Sequence, residues 1–164
     1  MATAIVAQMA PPTTGPAIPA GHSSRPSPNA QGRETTGDER MICMTWTLGR
    51  RNHPGQVDLI RDPGADIVAL QEVDVGRNRT GGGAQARGIA RRLGMQSLFH
   101  GIVDQEGELY GLALLSRFPI ETIRAGKLPG PRRRDEKVEP RGALWAAVET
   151  DLGRLQVITT HFGL

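Results

Sequence analysis

The sequence is short of cysteine, of aromatic residues and of long apolar runs, and each shortage excludes a class of protein. Its one cysteine, Cys43, excludes an internal disulfide framework and suits a reducing compartment. No apolar run approaches the roughly 20 residues that a membrane-spanning helix needs. The opening "MATAIVAQMAPP" lacks the basic start of a secretory signal peptide. We therefore expect a cytoplasmic protein without a membrane span.

The first 40 residues differ in composition from the rest of the chain. They hold six of the twelve prolines and none of the six aromatic residues, and they are rich in Ser, Thr and Gly. Such a segment buries too little apolar surface to offset the entropy lost on ordering. We predict a disordered, proline-rich tail at 1–40 and a single folded domain at 41–164.

Basic residues are in excess, with a net charge of +3 and an isoelectric point near 9.7. Most of this excess is arginine, which clusters at Arg77 and Arg79, at Arg91 and Arg92, and at 132–134. Guanidinium groups suit phosphate, so the clusters favour a polyanionic ligand. Runs of charge are also the ordinary composition of a solvated face, and the sequence alone leaves both interpretations open.

From residue 41 onward, short strands and helices alternate. The predicted helices are 55–62 and 84–94, and the predicted strands are 41–48, 65–73, 96–103, 109–116, 120–128, 142–150 and 154–162. The helix at 84–94 places its apolar residues on one face and ends at a glycine. Strand, helix, strand and helix followed by a run of strands predict an α/β (α+β) domain, with a mixed sheet and helices on one face.

Two of the predicted strands end in polar residues that are able to do chemistry. Ile67–Leu70 is a continuous apolar run, typical of a strand covered on both faces, and Gln71 and Glu72 follow it. The strand at 154–162 ends near His161. A carboxylate near a core needs a cation, hydrogen-bond donors or solvent. Because ligands collect at the carboxyl ends of strands, both residues are candidates for a site, although a solvated strand end is the simpler alternative.

Five segments in order carry a family resemblance: "MTWTLG", "ADIVALQEVD", "YGLALLSRFPI", "EPRGALW" and "VITTHFGL". Together they resemble the N-terminal half of the endonuclease/exonuclease/phosphatase superfamily, metal-dependent phosphoesterases that fold as a four-layer α/β/β/α sandwich with two mixed sheets. The resemblance covers about residues 41 to 164. It implies a phosphate-ester substrate, with nucleic acid among the candidates, and Mg²⁺ (or Mn²⁺) as the cofactor.

The resemblance also implies roles for individual residues. Glu72 matches the family's Mg²⁺ ligand, and Thr47 stands where the family usually has an asparagine that helps to hold the metal. His161 matches a histidine that hydrogen-bonds the phosphate or orients nearby carboxylates. Tyr110 matches a cleft tyrosine and Arg141 an arginine near the phosphate. Tyr110 is as consistent with core packing, and Arg141 with an ion pair to Glu139.

Two later motifs of the family, glycine-aspartate-x-asparagine and serine-aspartate-histidine, have no counterpart before Leu164. In the family these residues activate the attacking water. We therefore expect the chain to hold the electrophilic part of a truncated domain, to be inactive alone, and to self-associate through exposed strands. The alternative is a non-catalytic remnant that binds metal or polyanions, or that needs a partner chain.

Overall fold

The structure, a computed structural model, describes residues 2–9, 40–49, 55–130 and 139–162. Eight strands and two α-helices lie in these ranges, together with a 3-10 turn at Asn78–Thr80. The helices are α1 (Gln56–Arg61) and α2 (Gln85–Leu93). The strands are β1 (Ala2–Met9), β2 (Cys43–Thr47), β3 (Ile67–Val75), β4 (Gln96–Gln105), β5 (Glu108–Ser116), β6 (Ile120–Lys127), β7 (Gly142–Thr150) and β8 (Gly153–Phe162).

The strands form two four-stranded sheets. The first sheet has the order β2-β3-β5-β4, in which β2 and β3 are parallel and the other pairs are antiparallel. The second sheet has the order β1-β8-β7-β6 and is antiparallel throughout. The predicted α/β class with helices and a mixed sheet is confirmed. The second sheet departs from the two mixed sheets that the resemblance implied.

Two apolar cores separate three layers. The helix-side core packs α1 and α2 against one face of the first sheet, with Ile60, Ile89 and Leu70 among its members. The inter-sheet core joins the other face to the second sheet and includes Ile67 and Leu144. Strands β3 and β5 are therefore buried on both faces, as the continuous apolar run of β3 predicts.

Helix α2 forms where the apolar spacing places it. Ala86, Ile89 and Ala90 are buried on one face, while Arg87 and Arg91 are exposed. Gly94 ends the helix in the left-handed conformation, at φ 67°, as the sequence predicts. Neither described helix has the length and apolar character of a membrane span.

Strand β1 corrects the expectation that the whole 1–40 segment lacks structure. Ala2–Met9 pairs antiparallel with β8, from Ala2 opposite Phe162 to Met9 opposite Leu155. The backbone groups on that edge of β8 gain partners, which offsets the ordering entropy of a short strand. Strand β8 is therefore paired on both sides, with β1 and with β7. Residues 10–39 and the arginine run at 132–134 lie outside the described residues.

Candidate functional site

Strand β3 carries a β-bulge at Gln71 and Glu72. Leu70 pairs with Ala113 and Val73 pairs with Gly111. Gln71 and Glu72 therefore lie opposite a single residue of β5, Leu112. Glu72 has φ 57°, in the left-handed region that non-glycine residues rarely adopt. Bulges and backbone strain of this kind concentrate beside functional sites, where they redirect a side chain.

The bulge changes which way Glu72 faces. In a regular strand, residues 70 and 72 share a face. Here Leu70 and Val73, three residues apart, both pack in the helix-side core. The extra residue of the bulge therefore shifts the inward and outward alternation of side chains by one position. Glu72 is instead directed towards His161 of the second sheet. Without the extra residue, its carboxylate would enter the apolar layer beneath the helices.

Glu72 and His161 meet between the two sheets. Glu72 Oε1 lies 3.5 Å from His161 Nε2, and their side chains are only 13% and 5% exposed. The bulge in β3 and the end of β8 thus bring together the two strand-end residues that the sequence singles out. A largely buried carboxylate needs a cation or hydrogen-bond donors beside it.

Gln71 links the two sheets beside this pair. Its side-chain amide donates to Thr159 Oγ1 on β8 at 3.3 Å and to Thr45 Oγ1 on β2 at 3.1 Å. Thr47 donates its hydroxyl to Gln71 Oε1 at 3.3 Å. The predicted metal ligand Thr47 therefore contacts the residue before Glu72, and its oxygen retains acceptor capacity.

Asp74, two residues after Glu72, is fully buried and is neutralised by arginine. Arg79 donates to both of its oxygens, from Nε and Nη2, at 2.7 Å each. Arg77 Nε lies 3.5 Å from Asp74 Oδ1. This forked pair fixes the loop after β3, and its hydrogen bonds raise the pKa of the Arg79 guanidinium.

Tyr110 lies beneath both of these arginines. The guanidinium carbons of Arg77 and Arg79 are 5.3 Å and 5.6 Å from the centre of its ring. Burial, and after it the nearby Glu72 carboxylate, raises the pKa of the Tyr110 phenol above its ordinary value of 10.0. The ring therefore lies near Glu72 and keeps its hydroxyl proton at neutral pH.

Arg141 forms the ion pair that the sequence offered as an alternative. Its Nη1 donates to Glu139 Oε2 at 2.9 Å. It also lies close enough to Tyr110 to act on the phenol electrostatically, with the opposite sign to Glu139. Arg141 therefore borders the same cluster as Tyr110 and Glu72 while it is paired.

The described residues offer at most part of a divalent-metal site. They contain no group of three or more His, Cys, Asp or Glu side chains that could hold an ion. Asp74 is occupied by Arg79, which leaves the Glu72 carboxylate beside His161. Mg²⁺ is commonly held by one or two carboxylates, with water and substrate phosphate completing its shell, and Mn²⁺ accepts similar ligands. Glu72 fits the role of one such ligand.

Sequence reasoning missed Gln71 and Asp74 as parts of this cluster. Asp74 is followed at three and five residues by Arg77 and Arg79 in "DVGRNR", a spacing that a tight loop converts into a fork. That signal was available in the sequence. The link from Gln71 to Thr159 was not, because it depends on the packing of one sheet on the other.

The concave regions near these elements include a cavity and a groove. A cavity of about 310 Å³ is lined by Arg77, Arg79, Val103, Gln105, Tyr110, Glu139 and Pro140. A more open groove of about 560 Å³ runs along α1 and α2, on the helix side of the first sheet. Only the smaller cavity includes a predicted site residue, Tyr110.

Comparisons with known proteins agree with this architecture. The model of the Endonuclease/Exonuclease/phosphatase family matches residues 49–152. The fold resembles a solved endonuclease/exonuclease/phosphatase from Beutenbergia cavernae DSM 12333, with a TM-score of 0.51 and 22% identity. The match covers 73% of this chain and 37% of that one, so the chain spans well under half of the solved protein.

A search of curated proteins finds no match. The family match covers more than half of the chain, and the solved structure shares its fold. The chain belongs to the endonuclease/exonuclease/phosphatase family.

Proposed function

We propose that this chain forms the metal-binding, electrophilic part of a phosphodiesterase or nuclease-like hydrolase. The observation that carries the proposal is the bulge at Glu72, where a left-handed backbone directs a carboxylate to His161. Strain of this kind persists only where the surrounding structure imposes it, and a bulge that serves packing alone would not need a carboxylate.

Each residue has a role that its surroundings support. Glu72 is the carboxylate ligand for Mg²⁺ or Mn²⁺, and Thr47, which contacts the neighbouring Gln71, contributes a neutral oxygen. His161 donates to a phosphoryl oxygen or holds the Glu72 carboxylate in orientation. Tyr110 supplies a phenolic hydrogen bond, since its raised pKa keeps the proton in place. Arg141 contributes positive charge at the rim.

A bound divalent ion would supply neutralisation of the charge that develops on the phosphoryl oxygens. The residues described above bind and orient the ester. The motifs expected to activate water, glycine-aspartate-x-asparagine and serine-aspartate-histidine, do not occur in this sequence. Because catalytic residues act as a unit, losing one set removes most of the rate. We propose that these 164 residues bind metal and phosphate but turn over little substrate alone.

The first experiment is a calorimetric titration of the full chain with Mg²⁺ and with Mn²⁺. The Glu72→Gln variant should bind either ion about tenfold more weakly or worse, because it loses the one charged ligand. Glu106→Gln is the matched control. Glu106 also has a left-handed backbone, at φ 54°, but it lies in the turn between β4 and β5. Equal affinity in both variants would contradict the assignment of Glu72.

The second experiment measures hydrolysis of bis(4-nitrophenyl) phosphate with Mg²⁺. The full chain should be no faster than its Glu72→Ala variant. Metal-dependent turnover that Glu72→Ala abolishes would show that these residues already contain a complete catalytic set.

A non-catalytic role is the second candidate function. It is favoured by the absence, among the described residues, of a group of three metal-ligating side chains. In that case the chain binds a polyanion through its arginines or is completed by a partner chain. Metal binding that does not depend on Glu72, together with retained phosphate binding, would support this candidate over the first.

We further propose a cytoplasmic location, because the single cysteine is free and exposed, as a reducing compartment permits.

Self-association is proposed at β6. This edge strand is exposed along most of its length, and Ile123 bulges from it with 40% exposure. Sedimentation should show concentration-dependent association that Ile123→Lys reduces. Leu152→Lys, at a turn residue of similar exposure (39%), should leave it unchanged. A monodisperse monomer at all concentrations would contradict the proposal.

A further inference from the structure

Two arginines in the loop after β3 lie beside one buried carboxylate, that of Asp74. Arg79 engages both oxygens of Asp74 at 2.7 Å, so this pair is satisfied. Arg77 reaches the same carboxylate only through Nε, at 3.5 Å, which exceeds a normal hydrogen bond. One carboxylate therefore faces two guanidinium groups, and its interaction with Arg77 is weaker than its interaction with Arg79.

Arg77 is poorly satisfied for a charged group so little exposed. Its side chain is 13% exposed, and its buried Nε has no hydrogen-bond partner. Its Nη2 donates to Gln105 Oε1 at 3.3 Å, a neutral acceptor. An incompletely paired, largely buried cation is costly, which indicates that an anion belongs beside it.

Both guanidinium groups lie over the Tyr110 ring, at 5.3 Å and 5.6 Å from its centre. The aromatic face stabilises both cations and fixes their positions. Together they line the cavity of about 310 Å³ that Glu139 also borders. Glu139 is paired with Arg141 at 2.9 Å.

We propose that this cavity binds a phosphate group through Arg77, with Arg79 and Tyr110 as its supporting wall. Arginine presents several N–H donors in a planar fork that matches phosphate oxygens. Tyr110 lines the cavity, and the Glu72 carboxylate lies near enough to help raise the pKa of its phenol. The bound group is then a second phosphate of the substrate, next to the ester at Glu72. That last step, the assignment to substrate, rests on the proposed function, whereas the phosphate site itself does not.

Inorganic phosphate is the first probe, titrated into the full chain without metal. Calorimetry should show about tenfold weaker binding by Arg77→Gln than by the unmodified chain, from the loss of one charge-assisted contact. Arg87→Gln makes the same charge change on the exposed face of α2 and should bind as the unmodified chain does. Equal weakening in both variants would reduce the effect to net charge and overturn the proposal.

The Nε–H resonance of Arg77 is a second readout, because a purely structural role would not move it. In a nitrogen–proton correlation spectrum it should shift saturably with phosphate, while that of Arg87 should not. Arg77→Lys keeps the charge without the fork, so it guards against misfolding of Arg77→Gln. It should melt as the unmodified chain does and still bind phosphate more weakly. Uniform, unsaturated shifts of all arginines would overturn the proposal.

Short nucleotides then test the assignment to substrate. With Mg²⁺ present, thymidylyl-thymidine carrying a 5′-phosphate should bind about tenfold tighter than the same dinucleotide without it. Arg77→Gln should remove this difference, and Glu72→Gln should weaken both ligands equally. Phosphate binding without any gain from the terminal phosphate would overturn the assignment to substrate. A gain that survives the loss of metal binding in Glu72→Gln would support the cavity even if the hydrolase proposal fails.

Discussion

The two sheets of this protein differ in what covers them. The first sheet has helices on one face and the second sheet on the other, so β3 is buried along almost its whole length. Within the described residues, the second sheet is covered on one face only. Its edge strand β6 is exposed at seven consecutive positions, and Ile158 of β8 is 36% exposed.

Because of this difference, the strained residue of the site, Glu72, lies on the sheet that is packed on both faces. Glu72 lies on β3, where packing on both faces can hold a left-handed backbone, and its partner His161 lies on β8 of the second sheet. Sites are held most accurately by elements whose own positions are fixed by packing. We therefore expect substitutions in the first sheet to be costly and equivalent ones in the second sheet to be mild.

The largest contrast should come from ion pairs. Asp74→Asn leaves two arginines without their buried carboxylate, and the free energy of unfolding should fall by about 3–5 kcal/mol. In the second sheet, Arg154 pairs with Glu149 and Glu121 at the surface. Glu149→Gln should produce no measurable change. Urea unfolding of both variants checks this, and equal losses would remove the distinction between the sheets.

Apolar truncation should give the next largest contrast. Ile67 on β3 is 1% exposed and Ile158 on β8 is 36% exposed. Ile67→Ala should lower the free energy of unfolding by about 2–5 kcal/mol, because it opens a cavity between the sheets. Ile158→Ala removes the same atoms from a partly solvated position and should cost less than about 1 kcal/mol. A loss of unfolding free energy at Ile158 as large as that at Ile67 would contradict the difference in burial between the two sheets.

How far the sequence predicts this molecule depends on how local each signal is. The apolar run Ile67–Leu70 and the glycine at 94 are local, and both predictions agree with the structure. Strand β1 was missed because the proline-rich composition of 10–39 outweighed the β-branched residues Ile5 and Val6. The register that turns Glu72 towards His161 requires knowing which residue of β5 lies opposite, and no single strand carries that information.

A third contrast concerns the bulge itself, through the choice of glycine or alanine. At an ordinary strand position such as Glu149 of the second sheet, replacement by glycine should leave the protein less stable than replacement by alanine. At Glu72, with φ 57°, the order should reverse. The free energy of unfolding of Glu72→Gly should be about 1 kcal/mol higher than that of Glu72→Ala. Chemical denaturation of the four variants measures both differences. The same order at both positions would show that Glu72 is not strained.

The smallest effect should appear at high pH and concerns Tyr110, on β5 of the first sheet. Burial and then Glu72 raise its pKa in the folded protein above the ordinary 10.0. Its contribution to stability is therefore fully present below about pH 10 and is lost as the pH rises towards the folded value, since the unfolded chain gives up the proton first. Tyr110 is the only tyrosine, so absorbance at 295 nm reports this group alone. The folded chain should ionise at a higher pH than the chain in guanidinium chloride. Tyr110→Phe should lose stability less steeply above pH 10 than the unmodified chain. Coincident titrations of the folded and unfolded chains would mean that the phenol is open to solvent. That result would contradict the buried position of Tyr110 beside Glu72.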